Sequence, residues 1–226
     1  MNISTKLIFF LEDELEQVCG QVLDGGSEVL SKSAKLDKFQ VSLREVFGLC
    51  VLTRYRDFLD PGKNWAFSTE SQISDDGSVV SLVGNKTSYI ECVEQVYLPG
   101  KYLMRSENNN INEHILSNLV RVKGKGLEYY KDTSLFILSD VSSIDETDCF
   151  EWKDFAKGFF TELPFLHVYF LTLIKHSQDC NEYYLFSFTN QKHRQNLNGE
   201  FSFKMTQDGI SNFTIIQKIN LLESKT

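Results

Sequence analysis

The chain has 226 residues, 42% of them hydrophobic and 13% aromatic, which is enough apolar material for one substantial core. A charged fraction of 24% and only three prolines exclude a disordered or linker-divided chain. The formal net charge of −8 argues against a simple nucleic-acid binder, which carries a basic face, although a local basic groove can steer a ligand whatever the total.

The N-terminal stretch predicts an amphipathic helix over residues 4–23. Ser4 or Thr5 can cap it, and Leu7, Leu11, Leu15, Val18 and Val22 recur at helical spacing. Its apolar run, Leu7 to Leu11, is too short for a membrane span, and acidic residues follow it directly, unlike a signal peptide. Asp24-Gly25-Gly26 is expected to stop the helix. A second helix is expected over about 38–56, followed by a turn at Asp60-Pro61-Gly62.

The pattern then changes to strands at 64–69, 78–83 and 86–98, with Gly84-Asn85 closing a tight hairpin between the last two. Helical spacing returns over 111–130, where Ile111, Ile115, Leu119 and Val122 form one stripe. An apolar strand over 135–138 follows, then an acidic loop, a helix over about 150–162, and strands at 167–174 and 183–188. The tail reads as a hairpin, 200–206 with 212–219, turning around Gln207-Asp208-Gly209. Eighteen Phe and nine Tyr suit a half-buried pleated surface. The expected fold class is α/β: one domain, 1–226, with a mixed central sheet and helices on both faces. Its N-terminal helices occupy 1–60, its core 64–140, and a helix with C-terminal strands 150–226.

The five cysteines, Cys19, Cys50, Cys92, Cys149 and Cys180, show no zinc spacing and read as reduced thiols of a cytoplasmic protein. The four histidines likewise lack ligand spacing, and His114 reads as a surface residue. The chemistry-bearing feature is the hairpin. With a two-residue loop at Gly84-Asn85, paired residues sum to 169. Glu91 then opposes Ser78, Asp76 opposes Val93, and the two carboxylates are diagonal neighbours on one face, about 7–8 Å apart. Two carboxylates at that separation can share a divalent cation, and hard oxygen ligands on a rigid sheet suit Mg²⁺.

With Asp76 opening one strand and Ile90-Glu91-Cys92-Val93 lying on the next, followed by a helix and the strand 135–138, the stretch from Trp65 to Asp140 resembles the PD-(D/E)XK nuclease superfamily, the restriction-endonuclease-like fold. The resemblance implies Mg²⁺ held by Asp76 and Glu91, with Glu70 as an accessory ligand and Glu14 or Glu16 as further acidic groups. It implies hydrolysis of DNA or RNA phosphodiesters. The family's lysine would stand where Val93 does; Lys123 or Lys125 from the following helix is the expected substitute. Arg121, Lys123 and Lys125 would contact nucleic acid. The competing expectation is a non-catalytic, immunity-type protein whose acidic surface docks on a basic protein partner, the reading that net charge favours.

Overall fold

The computed structural model describes residues 8–31, 36, 38, 39, 41–69, 76–83, 86–98, 132–139, 165–189 and 199–218. Their elements are β1 (Ile8–Phe10), α1 (Leu11–Ser31), α2 (Leu43–Leu59), β2 (Asn64–Ser68), β3 (Ser78–Val83), β4 (Lys86–Leu98), β5 (Thr133–Ser139), β6 (His167–His176), β7 (Asn181–Thr189), β8 (Gly199–Thr206) and β9 (Gly209–Lys218). The strands hydrogen-bond in chain order from β1 to β9. The β1–β2, β2–β3 and β3–β4 pairs are antiparallel, whereas β5 and β6 run parallel. This mostly-β architecture corrects the expected α/β fold with helices on both faces: the described residues hold a large mixed sheet and only two helices. The expected helices over 111–130 and 150–162 fall outside the described residues, as do Glu70, Arg121, Lys123, Lys125, His114 and Cys149.

The chain divides into two compact units. The first comprises Met1–Gln95, Ser177–Asn181 and Lys204–Phe213; the second comprises Val96–His176, Glu182–Phe203 and Thr214–Thr226. In the first unit, the start of the expected N-terminal helix is instead strand β1. Phe9 explains the exchange. Its ring stacks on Phe67 at 5.5 Å and meets the edge of Phe39 at 5.1 Å, contacts that an extended backbone pairing Phe9 with Phe67 delivers. Helix α1 also runs through Gly25 to Ser31, so Asp24-Gly25-Gly26 is not its end. Glycine costs a helix interior only about 1 kcal/mol, which packing along Val18, Cys19, Val22 and Leu30 offsets.

Helix α2 starts at a capping box. Ser42 Oγ accepts from the Glu45 N–H at 3.3 Å, and the Glu45 carboxylate accepts from the Ser42 N–H at 2.6 Å. Its residues from Val46 to Leu52 are all buried, so the middle of the helix is apolar all round and lies in the core.

In the second unit, β5 is buried along its whole length, as expected of a parallel strand covered on both faces. β6 follows it in register, Leu135 beside Val168 through Ser139 beside Thr172. Aromatic rings fill this unit: Tyr183 stacks on Phe203 at 5.3 Å, and Phe170 meets Phe186 at 6.3 Å.

Candidate functional site

Register decides where the two hairpin carboxylates point. Next to the turn, Val83 pairs with Lys86 and Leu82 with Thr87, the sum of 169 that a two-residue loop dictates. A bulge between Ser81 and Leu82 then shifts the ladder by one, so Ser81 pairs with Tyr89, Val79 with Glu91 and Ser78 with Cys92. A one-residue slip moves every following side chain to the other face. Glu91 therefore stands opposite Val79, not Ser78, and the expected diagonal of Asp76 and Glu91 is lost. Ser88 explains the bulge: its hydroxyl donates to the Ser81 carbonyl at 3.0 Å and lies 2.9 Å from the Ser81 hydroxyl.

Glu91 faces α2. Its Oε2 accepts from Arg56 Nε at 2.8 Å and also from Arg56 Nη2, an ion pair whose side chains are only 5% and 1% exposed. Arg56 Nη2 also donates to the Tyr89 hydroxyl at 3.2 Å, and the guanidinium lies 5.6 Å from the Tyr89 ring centroid. Burial, and secondarily the Glu91 charge, pushes the Tyr89 phenol up to about 12, with Arg56 opposing. Trp65 meets that ring edge-on at 5.8 Å, held by its Nε1–H donating to the Asp60 carbonyl at 3.0 Å.

Asp76 does different work. Its Oδ2 accepts from the backbone N–H of Gln95 at 2.6 Å, while the Gln95 side chain donates to the Glu45 carbonyl at 2.8 Å. Gly77 makes that geometry accessible. Its φ is +122°, and a β-carbon there would lie 2.7 Å from both Leu49 Cδ1 and the Ser68 carbonyl. The Val93 N–H donates to the Gly77 carbonyl at 3.0 Å.

Glu91 and Gln95 thus tie opposite ends of α2 to β4, with Asp76 holding the Gln95 backbone. Arg56 and Glu45, the helix residues reached from Glu91 and through Gln95, are eleven positions apart, about 16 Å along the axis. Residues 91 and 95 are themselves about 13 Å apart along the strand. Val93 stands between them on the face toward α2, fully buried, where a lysine ammonium would be stripped of water. Of the other expected groups, Glu14 accepts from Lys38 Nζ at 2.5 Å, and Glu16 is exposed on α1. No group of three or more His, Cys, Asp or Glu assembles among the described residues. Asp76 and Glu91, each engaged and set apart by the register, do not fit one shared Mg²⁺.

Arg56 is the residue that sequence reasoning missed. A signal existed: Leu49, Leu52, Thr53 and Arg56 share one helical stripe, and all are buried. A cation on the core stripe of a helix needs a buried carboxylate, and Glu91 inside the apolar run IECVEQV is its counterpart.

The other charged feature of the first unit is the outer face of α1. Glu12, Asp13, Glu16 and Asp24 are exposed, and the 21-residue helix contains no lysine or arginine. Among the described residues no cation pairs with any of the four. Glu12, Glu16 and Asp24 fall on one stripe with Gly20 between them. The β8–β9 turn packs there. A β-carbon on Gly20 would sit 4.0 Å from Gln207 Cγ, and one on Gly209, whose φ is +136°, would sit 2.7 Å from Leu15 Cδ2. Exposed Asp208 is thereby set beside the acidic stripe.

Neither a protein-family model nor a curated protein matches the chain. Among solved structures, the central domain of yeast acetyl-CoA carboxylase is similar at 8% identity and a TM-score of 0.37, over 90% of this chain and 41% of that one. The chain thus spans about two-fifths of that neighbour's length. Among the described residues no helix is long and apolar enough to cross a membrane.

Proposed function

We propose that this chain is a non-catalytic binding protein that docks on a basic protein partner through the outer face of α1 and the adjoining β8–β9 turn. The observation that carries the reading is the unrelieved charge of that face: Glu12, Asp13, Glu16 and Asp24, with Asp208 beside them and no cation in the helix. Like charges at helical i,i+4 spacing cost a few tenths of a kcal/mol per pair, so the Glu12–Glu16 pair detracts from the helix. A cationic partner converts that repulsion into attraction and speeds encounter. The net charge of −8 supports the same reading. The competing divalent-metal nuclease reading draws no support from Asp76 and Glu91, whose oxygens hold Gln95 and Arg56.

The test pairs two assays on the full chain. In the first, a lysine- and arginine-rich helical peptide is titrated into wild type and into a variant carrying Glu12→Gln, Asp13→Asn, Glu16→Gln and Asp24→Asn. The reading expects at least about tenfold weaker binding by the variant. Equal binding overturns it. In the second, DNA and RNA are incubated with wild type and Mg²⁺. Cleavage abolished by Glu91→Gln in a folded variant also overturns it.

A further inference from the structure

The second unit carries a buried polar row that neither carboxylate nor the acidic face uses. Ser139 and Thr172 are register partners on the parallel strands β5 and β6, so their side chains leave the same face of the sheet. Phe170 touches Phe186 across β6 and β7, with centroids 6.3 Å apart. Alternation along each strand places Thr172 with Phe170 and Tyr184 with Phe186, hence Thr172 and Tyr184 on that same face. Tyr184 continues the row onto β8, where its hydroxyl donates to Glu200 Oε2 at 2.5 Å. Ser139, Thr172, Tyr184 and Glu200 are 1%, 1%, 4% and 0% exposed.

Two members of this row lack a hydrogen bond. Among the described residues, Ser139 Oγ and Thr172 Oγ1 are each buried without a hydrogen-bond partner. Buried hydroxyls are paired in folded proteins because desolvation without a partner is costly, and two adjacent exceptions call for one common explanation. Neighbouring strands lie about 4.8 Å apart. One oxygen about 2.8 Å from each hydroxyl bridges that gap.

The geometry points to a binding site between Ser139 and Thr172 for one small hydroxyl group that both donates and accepts a hydrogen bond: a resident water, or the hydroxyl of a small alcohol. Both hydroxyls can rotate to meet either role, and Tyr184 and Glu200 make the flank of the site polar. A water in such a setting joins two or more buried groups and is part of the structure.

The sign of a stability change tests the site. Thr172→Val keeps the side chain's shape and removes only the hydroxyl. With a bound oxygen at the site, it lowers the folded-to-unfolded ratio, read by urea titration, roughly three- to tenfold, and Ser139→Ala acts in the same direction. With an empty site, removing an orphaned hydroxyl leaves the ratio unchanged or raises it, and either result overturns the proposal. A crystal of the full chain grown without polyols supplies the second measurement. Density within hydrogen-bond distance of both oxygens is expected, and a void there overturns the proposal. Soaking in ethylene glycol then separates the sources: displacement by the diol identifies a site open to solutes, and persistence identifies a resident water.

Discussion

Removing one partner of the Arg56–Glu91 pair leaves a charge in the core with nothing to balance it. Both side chains are almost wholly inaccessible, at 5% and 1%, and two guanidinium nitrogens reach the same carboxylate oxygen, Nε at 2.8 Å. Screening by solvent is therefore slight, and the surface-pair range of 0–1 kcal/mol does not apply. Breaking a pair of this kind costs about 3–5 kcal/mol, chiefly the desolvation of the abandoned partner. Arg56→Met and Glu91→Leu are each expected to lose that much in urea unfolding. The double variant removes both charges and fills the space with apolar atoms, so it is expected to recover at least about 2 kcal/mol relative to either single change. Refutation has two forms. Single changes costing under about 1 kcal/mol mean that the pair is solvated, and a double variant as unstable as the sum of the singles means that the two residues are not coupled.

Four further predictions concern the same unit. Asp76→Ala strands the buried Gln95 N–H, at a cost of about 1–3 kcal/mol, and added Mg²⁺ shifts the thermal midpoint of neither wild type nor variant; differential scanning calorimetry reads both. Gly77→Ala forces a β-carbon onto Leu49 and the Ser68 carbonyl at a positive φ, so chemical denaturation is expected to show a loss of at least about 2 kcal/mol. Burial pushes Cys19 up to about 12 and Cys92 to about 11, and burial with the charges of Cys19 and Glu14 raises Cys50. Brief iodoacetamide treatment at pH 8 followed by peptide mapping should therefore label half-buried Cys180 ahead of these three. The same shifts set a pH dependence. A thiol whose folded pKa lies above its ordinary value of 9.0 contributes stability that is complete below pH 9.0 and is lost as pH rises toward the folded values of about 11 and about 12. A base titration of the circular dichroism signal should show that loss, and Cys19→Ala should reduce it.

The strands were the most legible part of the chain. Runs such as SVVSLV and KTSYIECVEQVYL declare themselves by β-branched and aromatic content, and the first two hairpin pairs, Val83 with Lys86 and Leu82 with Thr87, keep the expected sum of 169. The register beyond them was not legible. It depends on a bulge at Ser81/Leu82, and the hydroxyl contact of Ser88 that accompanies it has no turn residue or glycine to announce it. That one-residue slip is why Asp76 and Glu91 read as neighbours and yet bond separately, Glu91 to Arg56 of α2 and Asp76 to the Gln95 backbone. The start of the N-terminal helix was misplaced for a related reason: Leu7 and Leu11 keep helical spacing across Phe9, while Phe67 and Phe39, distant in sequence, hold Phe9 in a strand. The acidic face of α1 was readable directly, since a helix with six carboxylates and no cation shows its character in composition alone.

Docking through that face is the claim most in need of a direct measurement, and its signature is salt dependence. The association constant of the full chain with the lysine- and arginine-rich peptide should fall steeply as ionic strength rises from 0.02 M to about 0.3 M, because exposed charges are screened over a Debye length that shrinks to below about 8 Å across that range. The variant neutralised at Glu12, Asp13, Glu16 and Asp24 should bind weakly throughout with a flatter slope. Identical slopes and affinities for the two proteins would contradict the account.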